Sequence, residues 1–406
     1  MIGVETAPAP AIGAEEPQHC LVIVASVPAA RGETGIYLDD KACSGLDRYA
    51  RYWPGPVRCV FREGDRAAIV FGRERDPSTL PFSVELVVGD AIPQSLLADA
   101  SVVLAAGDNY LDFELADRCT ALGVPLVYMI ENVLSTRLQI VALEDKSRFR
   151  RAKSMVWTAL AERRRRRAFR RAAGLQANGT PAGDVYGALT PHLLTYFDTR
   201  MTADMMATAK EQEERRRRLL SGAPLRLAFS GRFERLKGVQ DLMPIAAQLR
   251  DRGVDFRFDL FGSGSLDAPV KAALTAAGLE DRVTVHGSVD FDRELVPWLR
   301  HNADLFILCH RQSDPSCTYL ETLGCGVPIV GYANRAFAGI LKDNDIGWAV
   351  PLGDWRAVAA TIARLDGARG EIADKAESAA AFGKANSFET TFAARVRQLR
   401  DIASLA

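Results

Sequence analysis

Short apolar runs alternate along the chain with longer segments whose apolar residues recur at helical spacing. This alternation is typical of parallel sheets, in which each buried strand is followed by a helix. The first half carries such runs at 20–27, 57–61, 84–88, 101–106, 125–130, 175–178 and 193–197. The second half carries them at 225–230, 256–261, 282–286, 304–309 and 328–332. The pattern predicts an α/β protein built from two units.

A polar, helical stretch, "KEQEERRRRLLSGAP", separates the two units, so we predict a linker at 206–222. The first unit is predicted at 18–205, the second at 223–386 and a C-terminal helix at 387–406. Residues 1–17 lack the basic region and apolar core of a signal peptide. We expect a flexible tail there.

Composition narrows the functional classes. Of the 406 residues, 48% are hydrophobic and 25% are charged, which is typical of a folded protein with sizeable cores. The formal net charge of zero argues against a general nucleic-acid-binding protein. No apolar run approaches the roughly 20 residues that span a bilayer. The seven scattered cysteines indicate reduced thiols rather than disulfides or a zinc site, so we expect a cytoplasmic protein.

The carboxyl ends of the second-half strands carry the candidate chemistry, because ligands of parallel α/β sheets bind there. After the first of these strands, Gly231 allows a tight turn. Arg232 and Lys237 then place two cations beside a helix start, which suits a diphosphate. Gly262 and Gly264, in "GSGS", follow the next strand and let a ligand approach the backbone. Taken alone, each feature also fits an ordinary solvated loop.

The stretch "DPSCTYLETLGCGVP" follows the fourth strand of the second half. Ser316, Cys317 and Thr318 are predicted to form the first turn of a helix, whose free N–H groups attract an anion. Glu321 lies about one turn further on and can accept hydrogen bonds from ribose hydroxyls, with helix capping as the alternative. With the cations and glycines, this stretch predicts a nucleoside-diphosphate pocket.

In order and spacing, these motifs resemble the nucleotide-binding domain of retaining glycosyltransferases of family four. The resemblance rests on "GRFERLKG", "GSGS", "GSV" and "CHRQSDPSCTYLETLGCGVPIV", within residues 225–366. It implies the GT-B fold, in which two Rossmann-like, doubly wound domains face a cleft and a C-terminal helix crosses back to the first domain. It also implies that Arg232 and Lys237 hold the diphosphate. By the same resemblance, Glu321 holds the ribose and Val289 lies near the base.

The chain departs from the family pattern just before this helix. The first acid of the family's glutamate pair, which contacts the donor sugar, falls on Ser313, with Asp314 one residue later. Either Asp314 replaces this acid or the donor sugar is recognised differently. We expect His310, Ser313 and Asp314 to be the residues that face the sugar. The identity of the donor sugar therefore stays open.

The first half resembles the family loosely and is expected to bind the acceptor. Its glycine-rich loop is assigned to "KACSGLDRYA", which contains Gly45 alone. Glu131 stands where relatives often have histidine, and Asp108 is predicted in the same crevice. Either carboxylate is a candidate to orient the sugar or to accept the acceptor's proton. The alternative for Glu131 is a cap on the helix that follows it.

A basic stretch, Arg148–Arg171, holds eleven Lys and Arg residues against one acid, Glu162. A solvated helix face is one interpretation of this stretch. Because Trp157, Leu160 and Phe169 accompany the charges, contact with an anionic membrane surface is another. Nucleic acid is the weakest option, since no recognised motif accompanies the charges.

Two acidic triplets, at 290–292 and 343–345, have the DxD form of metal-dependent transferases. Such triplets arise readily by chance in acidic loops. The resemblance implies that cations and helix dipoles stabilise the departing diphosphate. We therefore expect no metal and no other cofactor.

The sequence thus predicts a retaining, metal-independent glycosyltransferase of polysaccharide biosynthesis. Its expected partners are a nucleotide sugar and a glycan or polyprenyl-linked glycan acceptor, with no nucleic acid. We expect it in the cytoplasm, with peripheral contact to the inner face of the membrane as an option. Two alternatives share the fold, namely a sugar-nucleotide 2-epimerase and a catalytically impaired nucleotide-binding scaffold.

Overall fold

The computed structural model describes residues 19–69, 72–143, 147–313 and 315–404, and the strands within these ranges form three sheets. The strands are β1 (Cys20–Val24), β2 (Ala30–Arg31), β3 (Ile36–Asp39), β4 (Val57–Arg62), β5 (Gly72–Arg75), β6 (Ser83–Val87), β7 (Ala100–Ala106), β8 (Leu126–Ile130), β9 (Gly174–Asn178), β10 (Leu193–Tyr196), β11 (Leu225–Ser230), β12 (Phe256–Phe261), β13 (Val283–Gly287), β14 (Leu305–Leu308), β15 (Ile329–Tyr332) and β16 (Gly347–Val350).

Two of these sheets are parallel throughout. The first has the order β10-β9-β8-β7-β1-β4-β6 and the second has the order β13-β12-β11-β14-β15-β16. We call the parts of the chain around them the first and the second domain. The two sheets confirm the predicted α/β fold.

Helices connect the strands and cover the sheets. They are α1 (Asp40–Tyr52), α2 (Leu115–Leu122), α3 (Leu134–Leu143), α4 (Arg148–Arg171), α5 (Gly179–Tyr186), α6 (Ala209–Leu220), α7 (Leu242–Asp251), α8 (Asp267–Ala277), α9 (Val296–Asn302), α10 (Thr318–Gly324), α11 (Arg335–Leu341), α12 (Trp355–Asp366), α13 (Arg369–Ala385) and α14 (Phe388–Ser404). No helix in the described ranges is long and apolar enough to cross a bilayer.

Both faces of the second sheet are buried, which explains its nearly continuous apolar runs. On β11, Leu227 and Phe229 belong to one core cluster, whereas Ala228 between them belongs to the cluster on the other face. Strands covered by helices on both sides need apolar residues at successive positions. The predicted ranges 225–230 and 256–261 accordingly coincide with β11 and β12.

A small antiparallel sheet contains β2 and β3, which come before α1 in the chain, and β5, which comes after it. The apolar pattern does not indicate this sheet, because its strands are short and bury few side chains. The predicted glycine-rich loop "KACSGLDRYA" is wrong, since these residues form α1. Asp39 begins this helix by accepting a hydrogen bond from the N–H of Ala42 at 2.9 Å. Gly45 lies inside α1 and faces the ring of Phe392.

The chain passes between the domains twice. It enters the second domain after β10, and α14 returns to the first domain, where Phe392, Val396 and Leu399 join the core. The N–H of Phe388 donates a hydrogen bond to the carbonyl of Met201 at 2.9 Å, so the two crossing segments lie side by side. The predicted tail at 1–17 lies outside the described residues.

Candidate functional site

A cleft of about 740 Å³ lies between the two domains, at the carboxyl ends of both parallel sheets. Its walls include residues that the sequence singled out on separate strands, namely Glu131, Gly231, Arg232, Lys237, Gly262, Val289, Ser316, Cys317, Thr318 and Glu321. The sequence did not indicate the other lining residues, which are Lys41, Asn178, Asp198, Arg200, Ser230, Phe261, Ser263, Ser288, Leu295 and Pro315. The structure therefore brings most of the predicted site together.

Two glycines form the wall where β11 and β12 end. The φ angle of Gly262 is 136°, and a side chain there would collide with the carbonyl oxygen of Gly231. Only glycine fits this position. Beyond it, the hydroxyls of Ser263 and Ser288 hydrogen-bond to each other at 2.7 Å. A ligand can therefore approach backbone and hydroxyl groups closely on this side of the cleft.

Two cations line the same wall in different surroundings. Lys237 is only 8% exposed, and its Nζ lies 3.5 Å from Oγ of Ser316, at the start of the α10 segment. Arg232 is exposed at the mouth of the cleft. A buried cation beside the first turn of a helix provides a fixed positive field, which favours an anionic ligand.

The carboxylate of Glu321 is already engaged across the cleft. Its Oε1 accepts a hydrogen bond from Nε of Arg200 at 2.9 Å, while Glu321 itself is only 6% exposed. Arg200 also lies over the ring of Phe291, 3.5 Å from its centroid. Arg200, which follows the last strand of the first domain, thus contacts Glu321 of the second domain inside the cleft.

Glu131 stands on the first-domain wall, where solvent reaches it from the open cleft. Its Oε2 accepts a hydrogen bond from Nδ2 of Asn178 at 2.6 Å, and its Oε1 accepts one from the hydroxyl of Tyr196 at 3.3 Å. These bonds direct the carboxylate toward β9 and β10 rather than toward the start of α3. The surrounding protein displaces water from the carboxylate of Glu131, which raises its pKa. The negative charge of Asp198 raises this pKa further.

Asp108 is not part of the cleft lining, contrary to the prediction, because its carboxylate supports the backbone. Oδ2 accepts a hydrogen bond from the N–H of Glu131 at 2.6 Å, and Oδ1 pairs with Nη2 of the fully buried Arg165 at 3.0 Å. Arg165 also donates to the carbonyls of Gly107 and Asn132. Asp108 therefore fixes the loop that carries Glu131 and connects it to α4.

A carboxylate that the sequence did not single out, that of Asp198, contacts residues on both sides of the cleft. Nζ of Lys41, on α1, lies 3.3 Å from Oδ2 of Asp198, and Sγ of Cys317 lies 3.4 Å from the same oxygen. Asp198 raises the pKa of Lys41. Because 157 residues separate Lys41 from Asp198, no local pattern could have indicated the contact.

Of the remaining predicted residues, Gly264 and His310 lie outside the lining. A side chain at Gly264 would collide with the backbone of Phe233, so this glycine serves a turn and not the ligand surface. His310 is fully buried and does not face the cleft, contrary to the prediction. Burial lowers the pKa of His310 well below its usual range, and the positive charge of Lys237 adds to this effect.

Ser313 also points away from the cleft lining, because its hydroxyl accepts a hydrogen bond from the N–H of Arg335 at 3.2 Å. Asp314 lies outside the described residues. The family's sugar-contacting acid therefore has no replacement among the described residues of this segment.

The two acidic triplets have tasks in local structure. Asp290 accepts a hydrogen bond from the N–H of Arg293 at 2.7 Å, and Asp345 pairs with Lys375. Across the part of the chain that the structure describes, no group of three or more His, Cys, Asp or Glu side chains is arranged to hold a metal ion.

A second cavity, of about 340 Å³, adjoins the cleft inside the first domain and shares Lys41, Glu131 and Asp198 with it. Arg395 from α14 closes this cavity, with its guanidinium over the rings of Tyr49, Tyr196 and Phe392. No pattern in the sequence indicated that the C-terminal helix contributes to a cavity wall.

Comparison with known proteins finds a family match in the second domain. Residues 210–382 match the model of the glycosyl transferases group 1. The D-inositol 3-phosphate glycosyltransferase of Arthrobacter sp. (strain FB24) is 32% identical over 153 residues, which are 36% of each chain. The amylovoran biosynthesis glycosyltransferase AmsK of Erwinia amylovora is 27% identical over 161 residues, 37% of this chain and 38% of AmsK. The match thus spans little more than a third of these relatives.

Solved structures resemble the whole chain. HepE of Anabaena in complex with UDP has a TM-score of 0.66 at 15% identity, covering 94% of this chain and 99% of HepE. Sucrose-phosphate synthase from Thermosynechococcus elongatus has a TM-score of 0.63 at 14% identity, covering 96% and 100%. At such low identity these similarities show the fold alone. They confirm the GT-B architecture.

Proposed function

We propose that the protein is a glycosyltransferase, because its residues 210–382 match the model of the glycosyl transferases group 1. In this proposal it moves a sugar from a nucleoside-diphosphate sugar to a glycan or lipid-linked glycan. The observation that carries the proposal is that one cleft contains three features. They are the buried cation of Lys237, the glycines at the ends of β11 and β12, and the carboxylate of Glu321 one helical turn inside α10.

The donor binds to the second domain in this proposal. Lys237 and Arg232 hold the diphosphate beside the first turn of α10, where Ser316, Cys317 and Thr318 lie. Glu321 keeps one oxygen on Arg200 and offers the other to the ribose hydroxyls. Val289 lies near the base.

The sugar leaves the diphosphate in the cleft and is attacked on the face from which the diphosphate departs. This retaining course needs no enzyme nucleophile. The oxygen of the acceptor hydroxyl forms the new bond to the sugar, the bond from the sugar to the β-phosphate oxygen breaks, and the hydroxyl proton leaves with the phosphate or passes to Glu131. Lys237 and Arg232 stabilise the negative charge that grows on the phosphate. Closure of the domains excludes water, which would compete with the acceptor.

The relatives suggest which molecules to try first. HepE of Anabaena has been solved with UDP and with UDP-glucose, and AmsK is named for amylovoran biosynthesis. We therefore propose a uridine nucleotide as donor and a role in polysaccharide biosynthesis. We place the reaction in the cytoplasm, where nucleotide sugars are made, and at the inner face of the membrane when the acceptor is lipid-linked.

The proposal is tested by ligand stabilisation followed by transfer. A panel of nucleoside diphosphates is screened for an increase in thermal midpoint, since a ligand at about 100 times its Kd stabilises the folded state by ~2.7 kcal/mol. The matching nucleotide sugars are then assayed with simple glycans and lipid-linked glycans. Transfer with retained anomeric configuration supports the proposal. Nucleotide binding without transfer or hydrolysis identifies a scaffold, and release of a 2-epimerised sugar identifies an epimerase.

Replacement of Glu321 by glutamine is expected to weaken nucleoside-diphosphate binding by about tenfold, because hydrogen bonds to a charged acceptor are worth ~1.5–3 kcal/mol. The loss should vanish for a dideoxy nucleoside diphosphate, which has no ribose hydroxyls to donate. Isothermal titration of both ligands to both proteins measures this. Glu377→Gln, on the exposed face of α13, is the matched control. Equal preference for the ribose form in wild type and Glu321→Gln would remove Glu321 from the ribose site.

The raised pKa of Glu131 leads to a prediction about pH. If the carboxylate form orients the sugar or accepts the proton, activity is lost as pH falls through this raised pKa, by about tenfold per pH unit. The fall should begin above the pH range in which ordinary glutamates titrate. Glu131→Gln should be slower and should lack this acid limb, as measured by kcat against pH. A variant with an unchanged acid limb would show that another group titrates.

A further inference from the structure

Exposed apolar side chains gather on one part of the first domain. Five of them lie on α4: Phe149 is 81% exposed, Val156 60%, Leu160 54%, Trp157 49% and Met155 37%. Ile140 on α3 and Tyr110 after β7 are also exposed, and the rings of Tyr110 and Trp157 are in contact at 5.3 Å. We call these seven residues the apolar surface. Other large apolar side chains that are exposed in the described chain, such as Leu220 and Leu352, are scattered.

One face of α4 carries exposed apolar residues in its first part and exposed basic residues in its second part. Phe149, Val156 and Leu160 are separated by seven and four residues, so they share one face. The same face continues into Arg163 and Arg167, which are exposed. The opposite side is buried, and it includes Phe169, which the sequence had suggested as part of a surface patch.

Within α4, few acidic side chains compensate the positive charge on this face. The one acid of α4, Glu162, is 4% exposed and faces inward, paired with Arg165 and Arg166. The outer face therefore presents cations next to bulky apolar side chains. Protein surfaces that meet anionic bilayers combine these two features, because apolar side chains enter the acyl boundary while Lys and Arg contact the headgroups.

The helix α4, which carries most of the apolar surface, is connected to the cleft wall through hydrogen bonds. Arg165, on the buried side of α4, contacts Asp108, whose other oxygen holds the N–H of Glu131. Tyr110 lies two residues after Asp108. The surface and the acceptor-side wall of the cleft thus lie at the same end of the first sheet.

We propose that the apolar surface, together with Lys153, Arg163 and Arg167, docks the protein onto an anionic lipid bilayer. Docking places the first-domain wall of the cleft next to the headgroups. The bilayer itself is the partner, and its binding does not depend on catalysis. The consequence that an amphiphilic acceptor enters the cleft from the membrane rests on the proposed function.

The test is sedimentation of the full chain with vesicles of phosphatidylcholine alone or of an equimolar mixture of phosphatidylcholine and phosphatidylglycerol. We expect binding to the anionic vesicles and weaker binding as salt is added. Arg163→Gln/Arg167→Gln should lower the partition coefficient about thirtyfold, since each surface cation is worth ~1 kcal/mol. Phe149→Ser/Leu160→Ser should lower it by at least about tenfold, given ~25 cal/mol per Å² of apolar area.

Matched controls lie on other exposed faces. Leu220→Ser/Leu352→Ser removes two equally exposed apolar side chains, and Lys210→Gln/Arg217→Gln removes two exposed cations of α6. Both should bind vesicles like the wild type, and all variants should keep the wild-type thermal midpoint. Nucleotide stabilisation should also be unchanged in all variants, which separates this proposal from the proposed function.

Three results would overturn the proposal. The first is equal binding of the surface variants and their controls. The second is equal binding of the wild type to neutral and anionic vesicles. The third is a different occupant of the surface: either a self-associated form in lipid-free solution that only Phe149→Ser/Leu160→Ser disrupts, or RNA binding that depends on Arg163 and Arg167 without vesicle binding.

Discussion

Replacing Lys237 with alanine is expected to lower kcat by about 10²–10³-fold, the usual cost of removing one preorganised group that stabilises transition-state charge. The ammonium lies in a nearly buried position beside Ser316, where water screens it little. In the proposed reaction, its attraction to the diphosphate grows as the sugar departs and negative charge builds up. The effect should therefore fall mainly on kcat rather than on KM. Steady-state transfer with saturating acceptor measures both.

Two further variants make this result interpretable. Lys271→Ala, on the exposed face of α8, removes a lysine from the same domain and should leave turnover unchanged. Lys237→Arg keeps the charge but changes its shape and should recover part of the activity. A Lys237→Ala protein that unfolds at the wild-type temperature and turns over normally would place Lys237 outside the site.

Replacing Arg215 with methionine is expected to destabilise the protein by about 3–5 kcal/mol, because it leaves several buried carbonyls without donors. Arg215 is 1% exposed on α6. Its guanidinium donates to the carbonyls of Leu299, Arg300 and Ala303 at the end of α9, and to those of Cys325 and Gly326 at the end of α10. A cation at two helix C-termini also interacts favourably with both helix dipoles. Burial lowers the pKa of Arg215 to about 10, so it remains charged at neutral pH.

The measurement is the midpoint of denaturant unfolding followed by tryptophan fluorescence. Arg217→Met lies two residues further along the same helix, with a side chain that is 69% exposed, and should cost less than about 0.5 kcal/mol. Equal midpoints for the two variants would show that water or neighbouring groups satisfy the carbonyls. Since α10 carries Glu321, we also expect Arg215→Met to weaken nucleotide binding.

Every strand of the two parallel sheets except β16 was predicted from a short, dense apolar run. Burial of a strand on two faces produces such runs. β16 was missed, since "GWAV" is only four residues long and half of it is not buried. The antiparallel sheet was missed because its strands bury few side chains. The error at α1 came from family resemblance, which placed a loop where Asp39 caps a regular helix.

Much of the second-domain side of the cleft was predictable, because each predicted residue there lies a few positions after the end of a predicted strand. On the first-domain side, the sequence singled out Glu131 but not the residues around it. Lys41, Asp198 and Arg395 come from distant parts of the chain and meet only through tertiary packing. His310 and Asp108 were wrongly assigned to the cleft, because a polar residue at a strand end can also turn inward. His310 is buried, and Asp108 holds the backbone of Glu131.

The hydrogen bond between Phe388 and Met201 has a mechanical consequence. It ties the two connections between the domains to each other, so we expect them to move as one unit rather than as two independent tethers. Arg200 is adjacent to Met201 in the chain, so its contact with Glu321 lies next to this crossing point. We therefore expect a change in the angle between the domains to displace distant parts of the cleft more than the Arg200–Glu321 contact.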